Sequence, residues 1–382
     1  MWTLPTTSMG AQHTKHTVHD PRWPSSAFNF VALGVWPGKS LIKSAGVLIK
    51  DIQDLPKVLL HDHVDGGLRP QTIIELAREI NLDLPSLDPD ELQELIFASC
   101  NEGSLEKYLK NFDYTIAVMQ SYENLVRVSR ECVLDLASDG VVYAEVRGAP
   151  ELFTQGGLTI SDVIAATLEG IAEGIQEAKS RGKSIETYFI ACAMRHANRS
   201  LEVAEVVLNY RNKGVVGFDI AGAEAGFPAS NHRAAFDLLH RNNFPYTIHA
   251  GEAAPFSSMQ DAITNCKANR IGHGVRLIDE IDFSTESPKL SDAAKYIRDH
   301  QIHLEMAPTS NLQTGAAQSY KEHPAAALHS LGFNVALNTD NRLMSNTSLS
   351  REYELMSQYH DWNLETIRMM NRRARAAAFH QG

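Results

Sequence analysis

The sequence predicts an α/β fold, a TIM (β/α)8 barrel with extra helices inserted after the first strand. Three observations predict it. Eight short runs rich in Val, Ile, Tyr and Phe follow one another from residue 55 onward. Longer stretches with helical periodicity separate most of them. Several of the runs are apolar at nearly every position, as strands buried on both faces should be. A doubly wound open sheet is the alternative that the same alternation allows.

The expected strands are 57–63, 141–148, 185–194, 215–222, 245–252, 270–274, 302–308 and 334–341. Among the helices, 162–181 carries Val163, Ile164, Leu168, Ile171 and Ile175 at helical spacing, and 201–211, 234–241 and 365–379 follow the same rule. The first crossover is long, with at least three helical patterns at 71–80, 90–98 and 122–138. An insertion after a barrel strand sits on the C-terminal face, so the segment around 66–140 is a candidate lid. Residues 51–382 are expected to form one barrel domain. Residues 1–50 carry five basic residues and one acidic, opposite in sign to the rest, and are expected to be a disordered or processed extension.

Composition excludes several functions. The chain has 35 basic and 46 acidic residues, a net charge of -11, which opposes binding to a phosphate backbone, so no nucleic-acid partner is expected. No apolar run is long enough to span a bilayer, so no membrane role is expected. Cys100, Cys132, Cys192 and Cys266 include no Cys-x-x-Cys pair, which favours reduced thiols and a cytoplasmic location.

Barrel enzymes carry their chemistry at the C-terminal ends of the strands. Those ends read His61-Asp62-His63, Asp219-Ile220-Ala221-Gly222, His249-Ala250-Gly251-Glu252, Gly272-His273-Gly274 and Asn338-Thr339-Asp340-Asn341. His61 and His63 are two apart on a strand and so face the same side. Alone the pair is a weak signal. With His249 and Asp340 it becomes a three-nitrogen, one-oxygen set that suits Zn2+. Glu252, three residues past His249, stands near such a metal without having to bind it, which is a place for a proton donor. His273 lies between two glycines, where a ligand can approach the backbone closely.

Together with Tyr143-Ala144-Glu145-Val146-Arg147 and Pro308-Thr309-Ser310-Asn311, these stretches occur in an order that resembles the adenosine deaminase family of zinc-dependent hydrolases. The resemblance spans residues 55–375 and implies hydrolytic deamination of adenosine and 2′-deoxyadenosine, with a purine nucleoside and water as the small-molecule partners. It implies that His61, His63, His249 and Asp340 bind one zinc ion. Glu252 matches the residue that protonates purine N1, and His273 the group that orients the reactive water or takes its proton. Gly222 matches a backbone donor to N3, and Asp65 the carboxylate that holds the ribose 5′-hydroxyl. Deamination of adenine or of a modified adenosine, and a catalytically silent nucleoside binder, are the alternatives.

Two positions depart from the family pattern. Asn341 stands where many relatives have Asp at purine N7, and an amide donates there without needing an extra proton. Ala223 replaces a common acidic residue. The chain ends soon after 365–379, where relatives often continue with another segment, and a truncated edge is expected to lower stability without touching the site.

Overall fold

The computed structural model describes residues 49–381, and most of the 1–50 extension lies outside the described residues. Six parallel strands come first: β1 (Lys57–His63), β2 (Val141–Gly148), β3 (Glu186–Met194), β4 (Val215–Ala221), β5 (Thr247–Ala250) and β6 (Arg270–His273). The short β7 (Ile281–Asp282) and β8 (Lys289–Leu290) form a separate antiparallel ribbon. The last two parallel strands are β9 (His303–Met306) and β10 (Val335–Leu337).

The parallel strands form two four-stranded arcs, β1-β2-β3-β4 and β10-β9-β6-β5. Two single bridges join the arcs. Phe218 pairs with Tyr246 between β4 and β5, and Asp62 pairs with Asp340 beyond the end of β10. At the second seam His63 N–H donates to Asp340 O at 2.7 Å and Asp340 N–H to His61 O at 3.0 Å. The Asn338 side chain extends this seam by accepting from Leu60 N–H at 2.9 Å. The circle is therefore a closed (β/α)8 barrel rather than an open sheet.

Strands β1 to β4 run within a residue or so of the expected bounds. Strands β5, β9 and β10 are shorter than the sequence suggests: past β5 and β9 the backbone N–H groups donate to the Glu224 and Asn311 side chains, and past β10 Asp340 crosses to the backbone of β1. The first crossover holds five helices, Pro70–Glu79, Pro89–Cys100, Leu105–Leu109, Phe112–Val118 and Tyr122–Ser138. The two short ones escaped periodicity, since five and seven residues span two turns at most.

Local chemistry starts the main helices. Ser121 Oγ accepts from Asn124 N–H ahead of Tyr122–Ser138, and Thr159 and Asp162 form a reciprocal capping box ahead of Ile160–Ser180. The core lies between the barrel and its helices. It includes Val58, Leu60, Val146, Ile190, Phe218, Ile271 and Leu304, each at most 2% exposed.

The barrel axis is filled by charge. Arg147 bridges Asp219 (2.8 Å) and Glu305 (2.9 Å), and Arg270 bridges Glu305 (2.7 Å) and Glu145 (2.7 Å). The last residues pack back on the barrel. Arg270 stacks on the Phe379 ring with 3.6 Å to its centroid, and Phe379 N–H donates to Glu145 at 2.6 Å. All four cysteines are buried and unpaired. No helix among the described residues is long and apolar enough to cross a membrane.

Candidate active site

Strand alternation and two strained turns build the site. On β1, His61 and His63 project to the axis. His273 and Asp340 take left-handed backbone conformations, with φ of 63° and 56°. Such a backbone costs a non-glycine residue about 1–3 kcal/mol and persists where surrounding contacts enforce it.

The four expected metal ligands converge. His61 Nε2 lies 3.1 Å from Asp340 Oδ1, and His63 Nε2 lies 3.4 Å from the same oxygen. His63 Nε2 is 3.2 Å from His249 Nε2. The far side of each ring explains these approaches. His61 Nδ1 meets Glu305 Oε2 at 3.0 Å, and His249 Nδ1 lies 2.9 Å from Asp219 Oδ2, off the ideal hydrogen-bond angle. Burial opposes ionisation of Asp219 and Glu305, but His249 and Arg147 hold Asp219 below its ordinary pKa, and Arg147 and Arg270 hold Glu305 well below.

Two anions therefore favour a proton on Nδ1 of both rings and leave bare Nε2 lone pairs facing inward. Two bare ring nitrogens, a third imidazole and a carboxylate oxygen at these spacings repel or idle without a cation between them. The donor set fits zinc, which takes nitrogen and oxygen ligands in fours. Ser310 Oγ donates to Asp340 Oδ2 at 2.6 Å and fixes the carboxylate from behind.

His273 belongs to a tight group with His61, His249 and Asp340, in which ligand atoms lie within 4.8 Å of one another. Its Nδ1, however, is 3.0 Å from the Asn311 amide nitrogen. Asn311 Oδ1 accepts from Ala307 N–H at 3.3 Å, so the NH2 group is the one that faces His273. Burial pulls the His63 and His273 imidazoles well below their ordinary pKa.

Glu252 is 5% exposed. Burial first, then the charges of Asp340 and Glu224, push its carboxyl well above the usual carboxylate range. Thr314 Oγ1 donates to Glu252 Oε1 at 3.0 Å, and His273 Nε2 is 3.5 Å from Oε2.

A pocket of about 900 Å³, including its open mouth, stands over these groups. His63, His249, Glu252, His273 and Asp340 line its floor, with Asp65, Gly222 and Asn341 on its walls. His61 is wholly buried beneath. Leu105, Tyr108, Leu109, Phe112 and Ile116 from the inserted helices supply an apolar wall. Burial raises the Asp65 carboxyl to about 7, and its Oδ1 has no protein partner. Asn341 Oδ1 also lacks a partner and packs so closely on Gly66 that a Cβ there would lie 1.9 Å from it.

Every expected site residue thus falls in one place. Of the groups that hold them, sequence reasoning named Arg147, Asp219, Ser310 and Asn311 within its motifs but gave them no role, and it missed Glu224, Glu305 and Thr314. One signal was available. Arg147, Asp219 and Glu305 are charges inside strands that are otherwise apolar.

A closed barrel with converging imidazoles and carboxylates at its strand ends, under a helical cover, is the layout of a metal-dependent hydrolase. The adenosine deaminase family model matches residues 56–381. The chain is 49% identical over 357 residues to adenosine deaminase 1 of Streptomyces coelicolor, covering 93% of this chain and 88% of that protein. It is 51% identical over 306 residues to adenosine deaminase of Mycolicibacterium gilvum, covering 80% and 84%. An Arabidopsis N6-mAMP deaminase structure superposes with a TM-score of 0.73 at 26% identity, covering 87% of this chain and 95% of that one. The chain belongs to the adenosine deaminase family.

Proposed function

We propose that the protein catalyses hydrolytic deamination: adenosine or 2′-deoxyadenosine plus water gives inosine or 2′-deoxyinosine plus ammonia. The observation that carries this reading is a buried Glu252 carboxyl, its pKa pushed well above the usual carboxylate range, in one pocket with a converging imidazole and carboxylate set.

His61, His63, His249 and Asp340 would hold one zinc ion. When bound, zinc acts as a Lewis acid that makes water reactive at neutral pH. We assign the fourth place to His63 rather than His273, because Asn311 occupies His273 Nδ1 and directs its other nitrogen toward Glu252 and the pocket.

Addition of water at C6 breaks ring aromaticity and places charge on N1. Glu252 delivers its proton there, and Thr314 and Asn311 hold the carboxyl in position. His273 is placed to hold or pass a proton beside it. The Gly222 backbone serves purine N3, the Asn341 NH2 group serves N7, and Asp65 takes the ribose 5′-hydroxyl. The apolar wall from the inserted helices excludes bulk water.

The pocket also favours a nucleoside over a nucleotide. No lysine or arginine is among its lining residues, and Asp65 would face a 5′-phosphate with like charge.

The test is Glu252→Gln. Zinc content stays at one per chain while kcat falls by about 10²–10⁴-fold, the usual worth of a positioned proton donor. Full activity in that variant would remove Glu252 from the mechanism.

A further inference from the structure

The turn that follows β5 has no strand partner, yet its N–H groups are all engaged. Four consecutive N–H groups point at one side chain. Gly251 N–H donates to Glu224 Oε1 at 2.6 Å. Glu252, Ala253 and Ala254 N–H all donate to Glu224 Oε2, at 3.0, 2.7 and 2.9 Å. Successive backbone N–H groups make an anion-binding concavity, and here the anion is built into the chain. Glu224 comes from the segment after β4 and is 4% exposed. Gly251 takes a φ of +72°, which turns its N–H toward the same carboxylate.

The residue before the turn is held from the other side. Arg195, 2% exposed, donates through Nη2 to the carbonyl oxygen of His249. One arginine and one glutamate from neighbouring strand ends thus grip both faces of the segment that carries His249 and Glu252.

We infer that Glu224 is a positioning residue for the reaction: its carboxylate sets the backbone of the β5 turn and so places the Glu252 carboxyl against the substrate ring. The inference rests on the assignment of Glu252 as proton donor. Thr314 and Asn311 hold only the tip of that side chain, and Arg276 N–H holds the turn from its carbonyl side at Gly251 O (2.9 Å); without Glu224 the four N–H groups of the turn lose their acceptor. A shift of about 1 Å at a reacting group costs about 10²-fold in rate.

The experiment compares Glu224→Ala and Glu224→Gln with wild type and with Glu252→Gln. It reads kcat and KM for adenosine, the Kd of inosine, zinc per chain and the melting temperature. In Glu224→Ala, kcat falls about 10²-fold while zinc content and inosine Kd stay within about twofold. Glu224→Gln is nearly isosteric, keeps one acceptor oxygen, and loses about tenfold, so it carries the test if the alanine variant does not fold.

A kcat within about threefold of wild type in both variants overturns the inference. So does a parallel loss of kcat and inosine affinity, which is what a purely structural role produces. Equal losses in the two variants also overturn it. A fully active Glu252→Gln enzyme would instead overturn the proton-donor assignment beneath it.

Discussion

Glu252 owes its raised pKa to its surroundings. Burial disfavours its charge, and Asp340 and Glu224 repel it. Its place was legible in the sequence because it follows His249 by three residues at a strand end. Glu224 was not legible. Ala223 drew attention as a lost acid, and the acid that matters for the turn is the next residue. Nothing local reveals that its partners lie 27 to 30 residues ahead. Asn341 offers a second test at this scale. A Cβ on Gly66 would lie 1.9 Å from Asn341 Oδ1, so Gly66→Ala displaces the amide. We expect kcat/KM for adenosine to fall at least about tenfold, the scale of one lost hydrogen bond to substrate. Asn341→Ala should fall by a similar factor, and unchanged kinetics in that variant would remove Asn341 from the purine site.

Elements meet through buried polar groups as well as apolar faces. Glu352, on the helix Leu349–His360, accepts from Thr309 N–H at 3.0 Å and from Thr347 Oγ1 at 2.7 Å. Burial raises its carboxyl to about 7. The folded protein then keeps a proton that the unfolded chain releases near 4.5, so this group's contribution to stability falls as pH rises from about 4.5 to about 7 and is level beyond. Between pH 5 and pH 8 the loss is about 2–3 kcal/mol. Glu352→Gln cannot titrate, so urea unfolding at the two pH values should show a smaller drop in the variant by that amount. Parallel changes in the two proteins would contradict the assignment. Most of the eight barrel strands were legible at this scale, because burial on both faces leaves a continuous apolar run. The early ends of β5, β9 and β10 were not, because their last N–H groups go to the distant Glu224 side chain after β5, to the nearby Asn311 side chain after β9, and to the β1 backbone after β10.

The whole barrel is organised around charge on its axis. Arg147 touches both Asp219 and Glu305, the carboxylates behind His249 and His61. Removing one member of a buried network leaves its partners uncompensated, so Arg147→Met should cost about 3–5 kcal/mol in urea unfolding and weaken zinc retention against a chelator. A cost below about 1 kcal/mol would mean that the network is not coupled to the fold. Metal should also support the whole molecule. At about a thousandfold excess over Kd, zinc stabilises the folded state by about 4 kcal/mol, so the melting temperature rises on loading. His63→Ala should lose most of that rise, and an undiminished rise would return the fourth ligand place to His273. The closed ring itself was legible only as a count of strands, since its closure depends on single bridges, Phe218 to Tyr246 and Asp62 to Asp340.

The central claim is that this pocket deaminates a neutral purine nucleoside. The most direct measurement is the initial rate of ammonia release from adenosine, adenine and AMP by the zinc-loaded protein. Adenosine should turn over fastest, with inosine and ammonia formed in equal amounts. Faster turnover of adenine or AMP, or no turnover of any of the three with zinc bound, would contradict the account.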